Sequence, residues 1–375
     1  MASRLGGRLE PGEKAPTMAY NVKPMPNPLQ LDKEDKELLN VLQRDFPLDE
    51  RPFARMGEKV NLSEQEVLQR VARYKQDRIV RQIGAIFDTR SLGYQSSLVA
   101  MSVPGEREDE AAAILNEHPG ISHNYRRNHF FNLWFTLAVA PTSRLGLEGT
   151  VAKLHAMCRA DSTRLLPTLK LYKIAVDLDM TGERPPEATT GQAACTEAKR
   201  SNLPLTGRQM ALIRELQEDM PLVGRPFDGW AAAVGLSPAE LLAEARGFLE
   251  RGQMRRFAAV LRHRTVGFAA NAMGVWKVPE NEDPDKYGAA MASFNAVSHC
   301  YRRPTYPDWP YALFSMIHGR TVDDCEKTLQ AISEKTGLSE YQALYSSKEY
   351  KKTRVKYFTR EADEWEARAL AFQPA

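Results

Sequence analysis

The chain carries its own repeat. LLNVLQRDFPL at Leu38 returns as LIRELQEDMPL at Leu212, RPF at Arg51 returns at Arg225, and VNLSEQEVL at Val60 returns as VGLSPAELL at Val234. Further on, IVRQIGAIFDTRSLGY at Ile79 is answered by QMRRFAAVLRHRTVGF at Gln253, HNYRR at His123 by HCYRR at His299, and LKLYKI at Leu169 by SKEYKK at Ser347. So many agreements in one order mean an internal duplication, and the fold must therefore be built from a unit that exists twice. Two copies in one chain can face each other as a pseudo-dimer, with equivalent residues lining a shared cleft.

Each unit starts with helices. Leu38, Leu39, Val41 and Leu42 make one apolar face that Pro47 ends, and Ser63 with Glu66 forms a capping-box signature ahead of Val67, Leu68 and Val71. The pattern predicts a compact helical unit whose last two helices resemble a helix-turn-helix. Strand-like IGAIFDTRSLGY and SSLVAMSVP follow, then a helix through GEREDEAAAILNEH, strands ISHNYR and FFNLWFTLAV, a helix GTVAKLHAMCRA and a strand LYKIAVDLDM. Strand, helix, two strands, helix, strand is the ferredoxin-like βαββαβ order, so the fold class is α+β. The expected layout is a leader over 1–30, a helix-turn-helix domain over 31–80 and a ferredoxin-like domain over 81–180. A linker follows over 181–204, then the second pair of domains over 205–254 and 255–360, and a tail over 361–375.

Composition sets the outer limits. With 43% apolar and 26% charged residues the chain reads as globular, and a net charge of +3 is too small to argue for nucleic acid by itself. No apolar run has the length of a membrane span and no signal-peptide segment is visible, so the expected location is the cytoplasm. Cys158, Cys195, Cys300 and Cys325 form no CxxC pair, which gives neither a metal site nor a disulfide framework any support. A recognition helix for DNA wants cations on its outer face. The first copy has Gln65, Gln69, Arg70, Arg73 and Lys75, but the second, SPAELLAEARGFLERG, is rich in Ala and Glu, so binding of nucleic acid is not expected.

The two copies differ where chemistry would sit. Asp88-Thr89-Arg90 lies opposite Arg262-His263-Arg264, and only the second copy inserts TYPDWPY between its Tyr-Arg-Arg group and the apolar strand. His299 to His318, HCYRRPTYPDWPYALFSMIH, could enclose an anionic ring-shaped ligand or be merely the rim and central strand of a sheet.

A helix-turn-helix followed by a ferredoxin-like unit resembles the leucine-responsive and asparagine-regulator (Lrp/AsnC) type of transcription factor. IGAIFDTRSLGY, HNYRRNHFFNLWFT, RRFAAVLRHRTVGFAANAMGVW and HCYRRPTYPDWPYALFSMIHG more closely resemble an enzymatic branch of that family, the sirohaem decarboxylases. The likeness runs from about Leu31 to Phe358, and the chain looks like two related subunits fused end to end. The resemblance implies decarboxylation of the C12 and C18 acetate side chains of sirohaem to 12,18-didecarboxysirohaem, in haem d1 or alternative haem biosynthesis. It implies no cofactor beyond the iron-containing substrate, and leaves room for related protein subunits as partners. A haem-sensing regulator and a non-catalytic tetrapyrrole-binding partner are the alternatives.

Sirohaem is flat, apolar at its centre and ringed by carboxylates, so a site for it needs aromatic walls and a cationic rim. Under the resemblance the rim falls to Arg255, Arg256, Arg262, Arg264, Arg303 and Lys351, with Trp276, Trp309, Tyr311 and His318 about the macrocycle. His123, Tyr125, Arg126 and Arg127 are the matching set in the first half. Loss of carbon dioxide requires a proton donor. His263 and His299 are the candidates, with Tyr301 and Arg302 positioning the reacting carboxylate. Either histidine could instead be an axial ligand of the substrate's iron.

Overall fold

The computed structural model describes residues 31–44, 46–174, 204–261, 270–319 and 321–373. The first helical unit holds α1 (Lys33–Arg44), α2 (Pro52–Val60) and α3 (Glu64–Gln76). Ser63 caps α3, accepting from the Glu66 amide while the Glu66 carboxylate accepts from the Ser63 amide. After β1 (Val80–Phe87) come β2 (Gln95–Ser102), α4 (Glu108–Glu117), β3 (Ile121–Arg127), β4 (Leu133–Val139), α5 (Gly146–Cys158), β5 (Ser162–Leu166) and β6 (Lys170–Ile174).

The second copy repeats the order. α6 (Gly207–Leu216), α7 (Phe227–Ala233) and α8 (Pro238–Glu250) form its helical unit, and Ser237 with Glu240 rebuilds the capping box. β7 (Met254–Leu261), β8 (Ala270–Lys277), α9 (Pro284–Ala292), β9 (Val297–Arg302), β10 (Tyr311–Gly319), α10 (Val322–Thr336) and β11 (Tyr341–Lys352) follow. The last element, α11 (Arg360–Ala371), occupies residues expected to be a tail. Trp365 and Ala369, four apart on one helical face, are buried against the first half.

Three strand expectations are revised. β1 and β7 stay out of the ferredoxin sheets and pair antiparallel with each other, Ile83 opposite Ala259. They share one apolar core with both helical units, which include Leu42, Phe53, Phe227 and Phe248. β5 was not anticipated. The strand expected over LYKIAVDLDM is β6, which leaves its own half and pairs with β9 of the other; the residues after Ile174 lie outside the described residues.

The remaining strands form one sheet in the order β5-β2-β4-β3-β11-β8-β10-β9-β6. β11 serves twice: Tyr341–Tyr345 pair with β8 of the same half, and Ser346–Lys352 pair with β3 of the other. It thus does in one strand what β5 and β6 do in two. The ends of the order, β5 and β6, are separated in the chain only by Pro167–Leu169, so the sheet curls until its edges meet. Inside lies a core drawn from both halves, including Trp134, Leu166, Val275, Trp309, Phe314 and Leu344. The helices cover the outside over two further cores, one per half.

Swapped strands bring swapped contacts. Lys173 of β6 donates to the Phe294 carbonyl at 2.7 Å, just past the end of α9, and Lys351 of β11 to the Asn116 carbonyl at 2.8 Å, at the end of α4, each satisfying a carbonyl of the other half. Tyr172 bonds Asp285 as Tyr350 bonds Asp109. A Cβ on Gly288 would come within 2.3 Å of the Tyr172 ring, so only glycine lets β6 lie this close to α9.

Candidate functional site

Alternation along β9 sorts its side chains onto two faces. Cys300 and Arg302 face α9: the Cys300 Sγ is 3.6 Å from the Gly288 carbonyl, and Arg302 pairs with Asp285 at 3.6 Å. His299, Tyr301 and Arg303 face the other way. The rings of His299 and Tyr301 stack at 6.1 Å, and Arg303 lies over Tyr301 at 4.8 Å. β3 repeats this: Asn124 and Arg126 face α4, Arg126 pairing with Glu108 at 3.2 Å, while His123, Tyr125 and Arg127 face inward.

Beside His299 the two copies part. A bulge between β9 and β10 falls at Ser298, whose Oγ lies 2.8 Å from His299 Nδ1 and 2.8 Å from His318 Nε2. Burial holds both imidazoles below the ordinary histidine value, with each charge neighbour adding to it: His318 for His299 and Lys352 for His318. In the first half Ser122 bonds His123 at 2.9 Å but its other side-chain partner is Thr136, at 2.8 Å. Strand register places Ala138 where the second half has His318.

The strands beside the two histidines also differ. Across from His299 and Tyr301 stand Ile174 and Leu171 of β6; across from His123 and Tyr125 stand Lys352 and Glu349 of β11. Burial lowers His123 as well, Lys352 adding to the effect and Glu349 opposing it.

Cations gather at the same end of the barrel. Lys352 acts on both His123 and His318. Two residues on, Arg354 is lowered first by burial and then by the neighbouring charges of Arg81 on β1 and Arg256 on β7. Arg90, from the loop after β1, acts on Tyr301. None of Arg81, Arg90, Arg256, Lys352 and Arg354 forms an ion pair among the described residues. Cations without ion pairs among the described residues thus flank the imidazoles, Lys352 beside His318 and Arg90 beside Tyr301, while Arg354, Arg81 and Arg256 group between β11 and the β1–β7 ribbon. Of these five cations only Arg256 belongs to the rim expected from the sequence. Arg90 was in view as the partner of Arg264 in the aligned copies, whereas Lys352 and Arg354 reach these positions only because β11 crosses to the other half.

Several other expected site residues lie elsewhere. Arg302 and Arg126 are on the helix-facing side, so neither joins Tyr301 or Tyr125. Trp276 is fully buried beneath the second half's helices, bonded to Ser315 and stacked on Tyr341, and Trp309 is fully buried in the barrel core; neither offers an open wall. Tyr311 packs on Trp309 with rings 5.0 Å apart. Lys351 is spent on Asn116 and His118 carbonyls, and Arg255 on Asp88. Arg127 and Arg303 are buried and each donates to a carbonyl of the opposite half, Leu344 and Leu166. Cys300 is buried and pushed up to about 12 by burial, which makes it inert. Arg262, His263 and Arg264 lie outside the described residues.

In the first helical unit two of the cations of α3 are drawn to an acidic partner. Arg70 and Arg73 on α3 turn to Asp35, a carboxylate only 1% exposed that also accepts from Tyr74. Among the described residues no helix is long and apolar enough to cross a membrane.

Comparison with known proteins agrees with this architecture. A profile described as an AsnC-like ligand binding domain matches residues 91–173 and 265–351, and one described as a siroheme decarboxylase NirDL-like HTH domain matches 35–81 and 209–255. A siroheme decarboxylase of Hydrogenobacter thermophilus (strain DSM 6534 / IAM 12695 / TK-6) is 38% identical over 335 residues, 89% of this chain and 98% of that protein. The chain belongs to the sirohaem decarboxylase family. The beta subunit of the siroheme decarboxylase of Methanosarcina barkeri (strain Fusaro / DSM 804) is 45% identical over 145 residues, covering 39% of this chain and 95% of the subunit. A separate subunit in that relative thus corresponds to about one half here, as the duplication requires of a fused member. A crystal structure of the siroheme decarboxylase NirDL in co-complex with an iron-uroporphyrin III analogue superposes with a TM-score of 0.73 at 34% identity, over 90% of this chain and 99% of that one. For a sirohaem decarboxylase, the surroundings of His299 and His318 have the expected chemistry: cations without carboxylate partners beside poorly solvated imidazoles.

Proposed function

We propose that this chain removes carbon dioxide from the C12 and C18 acetates of sirohaem, giving 12,18-didecarboxysirohaem for haem d1 or haem synthesis. The observation that carries the reading is the joining of His299 and His318 through Ser298, with Lys352 beside His318 and Arg90 beside Tyr301 and neither cation in an ion pair among the described residues. Arg81, Arg90, Arg256, Lys352 and Arg354 would pair with carboxylates that do not react, fixing the macrocycle in place. The reacting acetate would lie against His299 and Tyr301, where the apolar Ile174 and Leu171 favour a neutral product over a carboxylate.

As the carbon–carbon bond breaks, the electron pair passes into the macrocycle. The exocyclic carbon then takes a proton from His299 to become a methyl group. Tyr301, stacked beside that imidazole, holds its plane. No cofactor beyond the substrate enters this scheme, and the two halves supply what separate subunits supply in relatives that have them. The same reading puts the reaction in the cytoplasm. Anaerobic incubation of the purified chain with sirohaem, followed by mass analysis of the extracted pigment, tests it. Loss of carbon dioxide supports the reading; tight binding of unchanged pigment refutes it.

A further inference from the structure

A lone imidazole would suffice to deliver one proton, yet the second half builds two and joins them through a hydroxyl. Ser298 Oγ stands 2.8 Å from His299 Nδ1 and 2.8 Å from His318 Nε2, and its other acceptor, the Met316 carbonyl, is farther away at 3.3 Å. A serine hydroxyl has one proton to give and lone pairs to receive. The shorter contacts are satisfied together when His318 Nε2–H donates to Ser298 and Ser298 donates to His299 Nδ1. That leaves the proton of His299 on Nε2.

This arrangement answers a difficulty in the chemistry. His299 is held neutral by burial, and a neutral imidazole is a very weak acid unless a proton arrives at its other nitrogen as the first leaves. We infer that Ser298 and His318 form a proton relay that makes His299 a competent acid: solvent to His318 Nδ1, His318 Nε2 to Ser298 Oγ and Ser298 Oγ to His299 Nδ1, as His299 Nε2 protonates the substrate carbon. The balance closes simply. Carbon dioxide departs with no electrons from outside, the exocyclic carbon gains one proton, one proton enters from solvent at His318 Nδ1, and both imidazoles end neutral with their protons on the opposite nitrogens. When product leaves, solvent returns a proton to His299 Nε2, the shift reverses, and His318 Nδ1 releases its proton to solvent.

The groups facing the relay fit that direction of travel. Lys352 of β11 acts on His318, and Tyr301 of β9 flanks His299 with Arg90 and Arg303 beside it. No carboxylate bonds either imidazole among the described residues, so nothing competes for the moving proton. The first half keeps the serine and the histidine but ends at Thr136, with alanine in the second imidazole's place. Ser122 and His123 therefore have no relay, and the two copies differ in the one feature that makes a buried histidine an acid.

The inference rests on the decarboxylase reading, and the test separates the two. Turnover of sirohaem is measured anaerobically for the unaltered chain, Ser298→Ala, Ser298→Thr and His318→Ala, with and without added imidazole, beside pigment affinity from visible-band titration. Ser298→Ala and His318→Ala are expected to lose about tenfold or more in turnover with affinity unchanged, and to recover in imidazole, which delivers protons directly. Ser298→Thr, which keeps the hydroxyl, is expected to stay within about threefold of the unaltered chain. Unaltered turnover in Ser298→Ala, or losses that imidazole does not restore, would overturn the relay while leaving the activity standing. No conversion by the unaltered chain would remove the activity and the relay together.

Discussion

The Arg303 guanidinium of the second half donates to the Leu166 carbonyl of the first, and Arg127 makes the mirror-image bond to Leu344. Both arginines belong to the Tyr-Arg-Arg repeat that looked like a carboxylate rim. Arg303 is instead a buried staple across the seam of the closed sheet, held down to about 10 by burial alone and without a carboxylate at its side. Arg303→Ala would leave the Leu166 carbonyl unpaired and open a cavity beneath Tyr301 and Phe314, at a combined cost of ~2–4 kcal/mol. A lowered urea midpoint with unchanged pigment affinity per folded molecule is the expected result.

Acid should release the C-terminal helix. His118 packs its ring 4.2 Å from that of Trp365, and its Nδ1 accepts from the Gly120 amide at 2.9 Å. Burial depresses its folded value from 6.5 to about 3. Unfolded His118 takes its proton first as pH falls, so the stability is fully present above about 6.5 and drains away between there and about 3. The loss approaches ~1.4 kcal/mol per pH unit. Trp365 fluorescence during acid titration should report the event, and His118→Gln, which keeps an acceptor but does not titrate, should move the transition to lower pH.

The five cations near the imidazoles and the β1–β7 ribbon should govern affinity more than rate. Arg354 is half-buried and repelled by Arg81 and Arg256, so an anionic ligand gains more from it than from a fully solvated arginine. Arg354→Ala should weaken pigment binding about tenfold, or ~1.4 kcal/mol, and leave saturated turnover within a few-fold. Raising the salt concentration should narrow the difference.

The helix-turn-helix units should hold the chain together and leave DNA alone. Asp35 draws Arg70, Arg73 and Tyr74 inward, so the cations that would meet phosphates are engaged with it. Gel retardation with the purified chain at physiological salt is expected to show no specific complex. Asp35→Ala should destabilise the first unit by ~1–3 kcal/mol, seen as a lower thermal midpoint, because it strands the buried Tyr74 hydroxyl while Arg70 keeps Asp32.

The duplication was legible because it needs no geometry: capping boxes, apolar spacing and the HxYRR repeat survive in both copies. What escaped was anything set by pairing at a distance. STRLL, the future β5, has no alternation and only Leu166 is buried, so nothing local marks it as a strand. The exchange of β6 and the second part of β11 cannot be read from either segment, since the partners lie in the opposite copy. Lys352 and Arg354 were missed for that reason. Arg302 is a different case. Adjacent strand residues face opposite ways, so Tyr301 and Arg302 could not both meet one ligand, and the sequence alone carried that contradiction. The tail was misjudged although Trp365 and Ala369 already had helical spacing.

The claim that the chemistry belongs to the second half is met most directly by comparing His299→Ala with His123→Ala in anaerobic turnover of sirohaem, with pigment affinity followed in parallel. The two histidines occupy equivalent positions and each bonds its preceding serine. The expected result is a loss of about hundredfold or more for His299→Ala with binding retained, and turnover within a few-fold of the unaltered chain for His123→Ala. Equal losses in both, or the larger loss in His123→Ala, would contradict the account.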